Sequence, residues 1–383
     1  MHLHLLPAIE KVKMFMKSEL NKRNPNRSKL NKSKLNKSEH DKSNRINSDQ
    51  RIILVFIFLV LAAFAAFVLN LFIGNVSIGI DDMIRILTGI SRDTKKVNII
   101  MNIRLPRTIM AFILGGALAV AGFLLQTYFS NPIAGPYILG ISSGAKMVVA
   151  ILLIVVARTG FYVRGYMLVL SAFVGAVIAT GFIIIISRSV KNMAALLAAG
   201  IMIGYICSAV TDFLIAFADD SDIVNLHSWS QGSFSGADME GAKYCLVIVT
   251  ISFVLVMLLS KSLDAFRLGE SYARSVGVNV RLCRFLIITL SSLLSACVTA
   301  FAGPISFIGI AVPFLMREAL KSSKPVILIP ASFISGAIFC LFSDLLARML
   351  FAPTELNVSA VTSLFGAPLV VFMIMKRHGR GEY

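Results

Sequence analysis

Residues 104–145 read RLPRTIMAFILGGALAVAGFLLQTYFSNPIAGPYILGISSGA, and their order of apolar run, break and second apolar run decides the fold class. From Thr108 to Phe129 no residue is charged. At about 1.5 Å of rise per residue such a run crosses a hydrocarbon core of about 30 Å as a helix. Pro106 suits the first turn of that helix, where its missing N–H would be unpaired anyway. At the far end Pro132 and Pro136 interrupt the backbone. Gly140, Ser142, Ser143 and Gly144 then open another apolar run with small side chains, which let helices approach closely or line a narrow passage.

The pattern recurs on both sides of this stretch. Apolar runs occupy roughly 51–73, 105–128, 138–157, 165–187, 193–217, 241–260, 284–302, 305–316, 326–347 and 357–375. Of 383 residues, 57% are hydrophobic and only 15% charged, so a soluble domain could not cover the apolar surface. We therefore expect an all-α integral membrane protein of about ten transmembrane helices over 51–376, with flanking tails at 1–50 and 377–383. The run at 305–316 is too short to cross alone; it is either re-entrant or continues into Arg317–Leu320.

The net charge of +17 is a topology signal rather than a nucleic-acid groove. Residues 1–50 hold 12 Lys/Arg against five acids, and their Lys-, Asn- and Ser-rich composition predicts a disordered tail. No short apolar core with a small-residue cleavage site appears there, so no signal peptide is expected. The tail either touches anionic lipid or has no role. Loops on the tail's side carry Arg188, Lys191, Lys261, Arg267, Arg274, Arg281, Arg284, Arg317, Lys321, Lys324, Lys376, Arg377 and Arg380. The opposite loop 218–240 has five acids and no Lys or Arg. Basic loops face the cytoplasm, which places both termini there. One loop breaks the rule, because residues 74–107 hold Arg85, Arg92, Lys95, Lys96, Arg104 and Arg107.

Several classes of chemistry are absent. There is no Gly-Lys dipeptide and hence no phosphate-cradling loop for ATP, and His-Glu-x-x-His does not occur. The five Cys show no CxxC spacing, and the expectation is no metal site and no cofactor in this chain. Other features invite two readings each. Arg104 and Arg107 share a helix face and either anchor at the interface or grip carboxylates. Asp344 and Arg348, four apart, either pair internally or serve a partner. The 261–284 segment, closed by Gly277, is either a short helix lying on the membrane or a rigid knob received by a cytoplasmic partner. The breaks at Ala302–Gly309 and Pro313 must bury freed backbone groups in protein or face a cavity. Lys146 and Asp212 lie within apolar runs, where charge is costly, so each faces the bundle interior or water. Their depths differ by about 16 Å, which argues against direct pairing.

On these motifs the chain resembles the FecCD-type permeases of ABC importers for iron siderophores, haem and cobalamin. The resemblance is carried by 104–145, by LLAAGIMIGYICSAV at 196–210 and by LGESYARSVGVNV at 268–280. It continues through AGPISFIGIAVPFLMR at 302–317 and DLLARMLFAPTELNVSAVTSLFGAPL at 344–369. It implies a type II importer permease of the cobalamin-permease kind in a bacterial plasma membrane. Such a permease pairs with a second copy or a paralogue, docks on two ATPase subunits that hold ATP and magnesium, and receives substrate from an extracytoplasmic binding protein. Carried over, the resemblance assigns Arg104, Arg107 and Arg348 to binding-protein docking and Asn131 and Ile133 to the cytoplasmic gate. It assigns Leu268, Gly269, Glu270, Ala273 and Gly277, with Arg274 beside them, to ATPase coupling. Lys146 and Asp212 are candidate pathway residues. The sequence departs from the pattern at Phe314, where a His is frequent, and at Lys146, where a small or apolar residue is usual. Asn192–Ala194 matches the second gating loop poorly. The expected function is import of a ferric siderophore by alternating access, with haem or cobalamin as alternatives. An ion-coupled secondary transporter using Asp212 and Lys146 is the reading from another class.

Overall fold

A computed structural model describes residues 25–74, 76, 78–88, 93–156, 165–190 and 192–378. Arg92, Lys191 and Arg380, three of the loop charges used above for orientation, lie outside them, as do residues 1–24 and 379–383 of the two tails. The chain divides into two units, residues 1–57 and 58–383. In the first, residues 25–50 were expected to lack regular structure and are instead helical, as part of α1 (Pro25–Phe72). After Pro25 this segment has no Gly or Pro, and its Lys, Leu, Glu and Arg are good helix formers. The apolar part of the same helix supplies the nucleus that a polar peptide alone would have to form at a cost.

The remaining elements follow the apolar runs. They are α2 (Ile80–Leu87), α3 (Thr94–Phe129), α4 (Ile141–Val156), α5 (Gly165–Ser189), α6 (Met193–Ile215), α7 (Asp220–Ser230) and α8 (Met239–Leu258). After them come α9 (Ser260–Arg267), α10 (Glu270–Ser275), α11 (Val280–Ala302), α12 (Ile308–Leu320), α13 (Pro325–Met349) and α14 (Val358–His378). Each of the ten expected runs coincides with one of these helices. Seven are long and apolar enough to cross a membrane, with shorter apolar helices at Ile141–Val156 and Val358–Phe372.

α3 is the hub. Of its most apolar window 89% is buried, against 11% for that of α1 at the rim. Small residues permit this sheathing. A Cβ on Gly336 of α13 would lie 2.5 Å from both Ala119 Cβ and the Gly115 carbonyl oxygen, so the two backbones meet where no side chain fits. Gly122 faces the Gly309 carbonyl of α12 in the same way.

α12 resolves the alternatives for the short run. It begins late, after Gly303 and Phe307 turn left-handed (φ 72° and 65°), and it continues through Arg317 to Leu320. Thirteen residues reach only about 20 Å, so the extended Gly303–Ser306 segment supplies the rest of the depth. Within α12, Pro313 cannot donate to the carbonyl of Gly309, four residues earlier. The buried Gln126 amide of α3 donates to that oxygen (3.3 Å) and to the Ile310 carbonyl (3.0 Å). The freed backbone is thus buried and answered inside protein, as a hydrocarbon environment demands.

Candidate functional site

One end of the bundle gathers the last turn of α1, the start of α3 and the end of α13. Here the three arginines expected to meet a partner's carboxylates are turned inward, with exposures of 4%, 5% and 6% for Arg104, Arg107 and Arg348. Arg107 lies 3.0 Å from Asp344 through Nη2 and through Nε, and 3.0 Å from Glu355 through Nη1. Arg348 Nε lies 3.2 Å from Asp344, and its Nη2 donates to Asn70 Oδ1 at 2.6 Å. Arg104 donates to the Leu71 and Phe72 carbonyls, both at 2.9 Å, and to that of Val76. It therefore caps the C-terminus of α1, which has no basic residue in its last turn and whose final carbonyls would otherwise be orphaned. The carboxylates that Arg107 and Arg348 meet in this structure are the chain's own, and Arg104 meets backbone carbonyls, because buried charge must be paired where it sits. Asp344 and Arg348 do pair internally, one of the two readings of their spacing. Sequence reasoning missed Asn70 and the role of Glu355; the latter stood inside the quoted 344–369 motif.

The stretch after Glu355 leads to a cavity. Leu356 N–H donates to the Ala347 carbonyl, Val358 N–H to that of Gly232, and Ser233 N–H to that of Ala302. Ser359 Oγ donates to the Pro304 carbonyl. These bonds knit three loops into one wall of a cavity of about 500 Å³. Lys146 and Ser142 of α4, Ser208 of α6, Ser306 and Ser363 also line it, with Tyr137 from the turn after α3. That turn packs tightly on α6: Gly140 has φ 73°, and a Cβ there would come 2.8 Å from the backbone nitrogen of Gly204. Lys146 thus faces a polar space, as its cost in lipid requires. Asp212 does not join it. Its carboxylate is exposed on α6, three residues before that helix ends, so it reaches the interface rather than the cavity.

At the other end of α3, Ser130 turns left-handed (φ 49°) and ends the helix. Asn131 Oδ1 then accepts from Ile133 N–H at 3.0 Å, an Asx turn that holds the two gate candidates together with the Ile133 side chain half-exposed. Close by stands the knob formed by α9 and α10. The Phe266 ring stacks on Tyr128 of α3 at 6.1 Å between centroids and 12° between planes. Gly269 and Gly277 bound α10 with φ of 111° and 85°. Of the coupling candidates, Leu268, Gly269, Arg274 and Gly277 are exposed. Ala273 is buried and Glu270 is ion-paired with Arg284, so these two brace the knob from inside rather than offer it to a partner. Two residues not singled out from the sequence, Tyr272 of α10 and Val276 just after it, are exposed at 47% and 53%, as is Leu268 just before it at 60%.

Among the described residues no group of His, Cys, Asp and Glu could hold a metal. A helical bundle with a polar cavity, an Asx turn at Asn131–Ile133 and an exposed knob has the architecture of a membrane transport subunit. The chain belongs to the FecCD transport family, whose model matches residues 59–376. It is 34% identical over 294 residues to the hemin transport system permease HmuU of Yersinia pestis, covering 76% of this chain and 88% of that one. It is also 34% identical over 283 residues to the vitamin B12 import permease BtuC of Vibrio vulnificus, covering 73% and 83%. A solved metal-chelate type ABC transporter, in an inward-facing conformation, matches at a TM-score of 0.75 and 28% identity over 84% of this chain and 99% of that one. The chain is an ABC importer permease, a multi-pass membrane protein.

Proposed function

We propose that this permease imports a ferric siderophore across a bacterial plasma membrane, with both termini in the cytoplasm. Two separate ATPase subunits, which hold ATP and magnesium, grip the knob, and a second permease copy or a paralogue completes the path. The observation that carries this reading is the knob itself. Exposed apolar side chains at Leu268, Tyr272 and Val276 on one short knob are unfavourable in water unless a partner covers them. The brace beneath it, Glu270–Arg284 and Phe266–Tyr128, gives a push somewhere to go. Purification with the neighbouring ATPase tests it. Tyr272→Glu is expected to abolish retention of the ATPase while the permease stays folded; full retention would defeat the assignment.

An extracytoplasmic binding protein docks at the arginine end in this reading, by exchange rather than by simple capture. Its carboxylates compete for Arg107 with Glu355, the partner whose side chain is 37% exposed, while Asp344 stays fully buried. Glu355→Gln is then expected to tighten docking severalfold at low salt, measured by surface binding of the purified binding protein; an unchanged affinity would count against exchange.

Haem or cobalamin is the second reading for the substrate, favoured by the similarity to the hemin permease HmuU and the vitamin B12 permease BtuC. Uptake of iron-55 siderophore, haem and cobalamin in cells lacking other importers separates the three. The ion-coupled alternative gains no geometric support from the cavity, because Lys146 lines it and Asp212 does not.

A further inference from the structure

The cavity that would pass the substrate is chemically one-sided. Seven serines, Tyr137 and Gln231 surround a single charged side chain, Lys146. No Asp or Glu lines the cavity, and none pairs with Lys146 among the described residues. An ammonium placed among hydroxyls inside a membrane protein sits at positive potential with little screening, since the nearby hydroxyl dipoles can turn either way. A cation entering this space is repelled, and a neutral ligand gains nothing from the charge. A ligand with anionic oxygens at its rim gains a charge-assisted bond from Lys146 and further hydrogen bonds from the serines. A volume of about 500 Å³ is of the size that holds a small molecule rather than a bare ion.

We propose that Lys146 makes this permease selective for anionic chelates, those exposing carboxylate or catecholate oxygens, and that it acts as the electrostatic reader of cargo within the path. This rests on the reading above that the cavity lies on the import route.

The single tryptophan gives a direct probe. Trp229 immediately precedes Ser230 and Gln231, both in the cavity wall, so its fluorescence reports a bound iron chelate. The purified permease, held with its ATPase subunits in nanodiscs, is titrated with ferric citrate, with haem, and with a cationic ferric trihydroxamate, at low and at high salt. Saturable quenching by the two anionic probes is expected, weakened about tenfold or more in Lys146→Gln. The conservative Lys146→Arg restores it, and salt weakens the wild type more than Lys146→Gln. Quenching that is equal in wild type and Lys146→Gln, equally strong for the cationic chelate, or absent for both anions overturns the proposal. Retention of the ATPase is scored on the same samples. A permease that holds no ATPase refutes the import reading itself, whereas one that holds it but ignores residue 146 refutes only the selectivity.

Discussion

Gln126 occupies a position that sequence reasoning passed over as one polar residue in an apolar helix. Its amide replaces a hydrogen bond that Pro313 removes from α12, and it does so 2% exposed. Gln126→Leu keeps the volume and strips the donor, leaving the Gly309 and Ile310 carbonyls without it. A loss of about 1–3 kcal/mol is expected, read as a lower unfolding midpoint in detergent. Pro313→Ala restores the N–H and should make Gln126→Leu cheaper, so the double variant tests the cause. Asp344 is the other single-residue hinge of stability. It alone faces both Arg107 and Arg348 and is fully buried. Asp344→Asn leaves two guanidiniums sharing less negative charge, at a cost of about 3–5 kcal/mol. Poor membrane yield and a depressed midpoint would check it, and wild-type stability would contradict the pairing.

Among the elements, the α9–α10 knob is the one whose attachment matters most. Phe266 lies against Tyr128, which in turn meets Phe129 edge-on at 4.9 Å, one residue before the left-handed Ser130 that starts the gate loop. In the proposed reading, force on the knob reaches the Asn131–Ile133 loop through these two aromatic contacts. Phe266→Ala is expected to leave the exposed knob face and ATPase retention intact while lowering substrate moved per ATP severalfold, measured in proteoliposomes. Unaltered stoichiometry would show that the stack carries nothing. Elements such as these were largely legible in the sequence. The apolar runs, the Pro132–Pro136 break and the Gly277 stop all depend on neighbours a few residues away. What the side chains do was not legible. Arg104 answers carbonyls about thirty residues back, and Arg348 meets Asn70 across 278 positions. No local spacing encodes such pairs, so the internal partners of these arginines could not be read from their positions. Residues 25–50 failed for the converse reason: composition favours disorder in isolation, and continuity with an apolar helix overrides it.

For the whole molecule, the charge asymmetry of the loops supplies a test of orientation. A fluorescent protein fused after residue 378 should glow, and alkaline phosphatase fused there should be inactive, if that end faces the cytoplasm. The reverse pair of results would invert the bundle and move the knob to the wrong side for any ATPase. The distribution of exposed apolar side chains is also uneven. α6 shows Met202, Tyr205, Ile206 and Phe213 outward while α3 from Arg104 to Phe129 shows almost nothing.

That crowding around α3 has a historical reading. With backbone against backbone at Gly115, Gly122, Gly309 and Gly336, the axle of the bundle has no room to gain even a methyl group. Descendants of this chain could not adopt a bulkier or differently charged cargo by remodelling the axle. Such change would have to accumulate in α4, α6 and the first turns of α14, where the lining side chains border open space and can be exchanged one at a time.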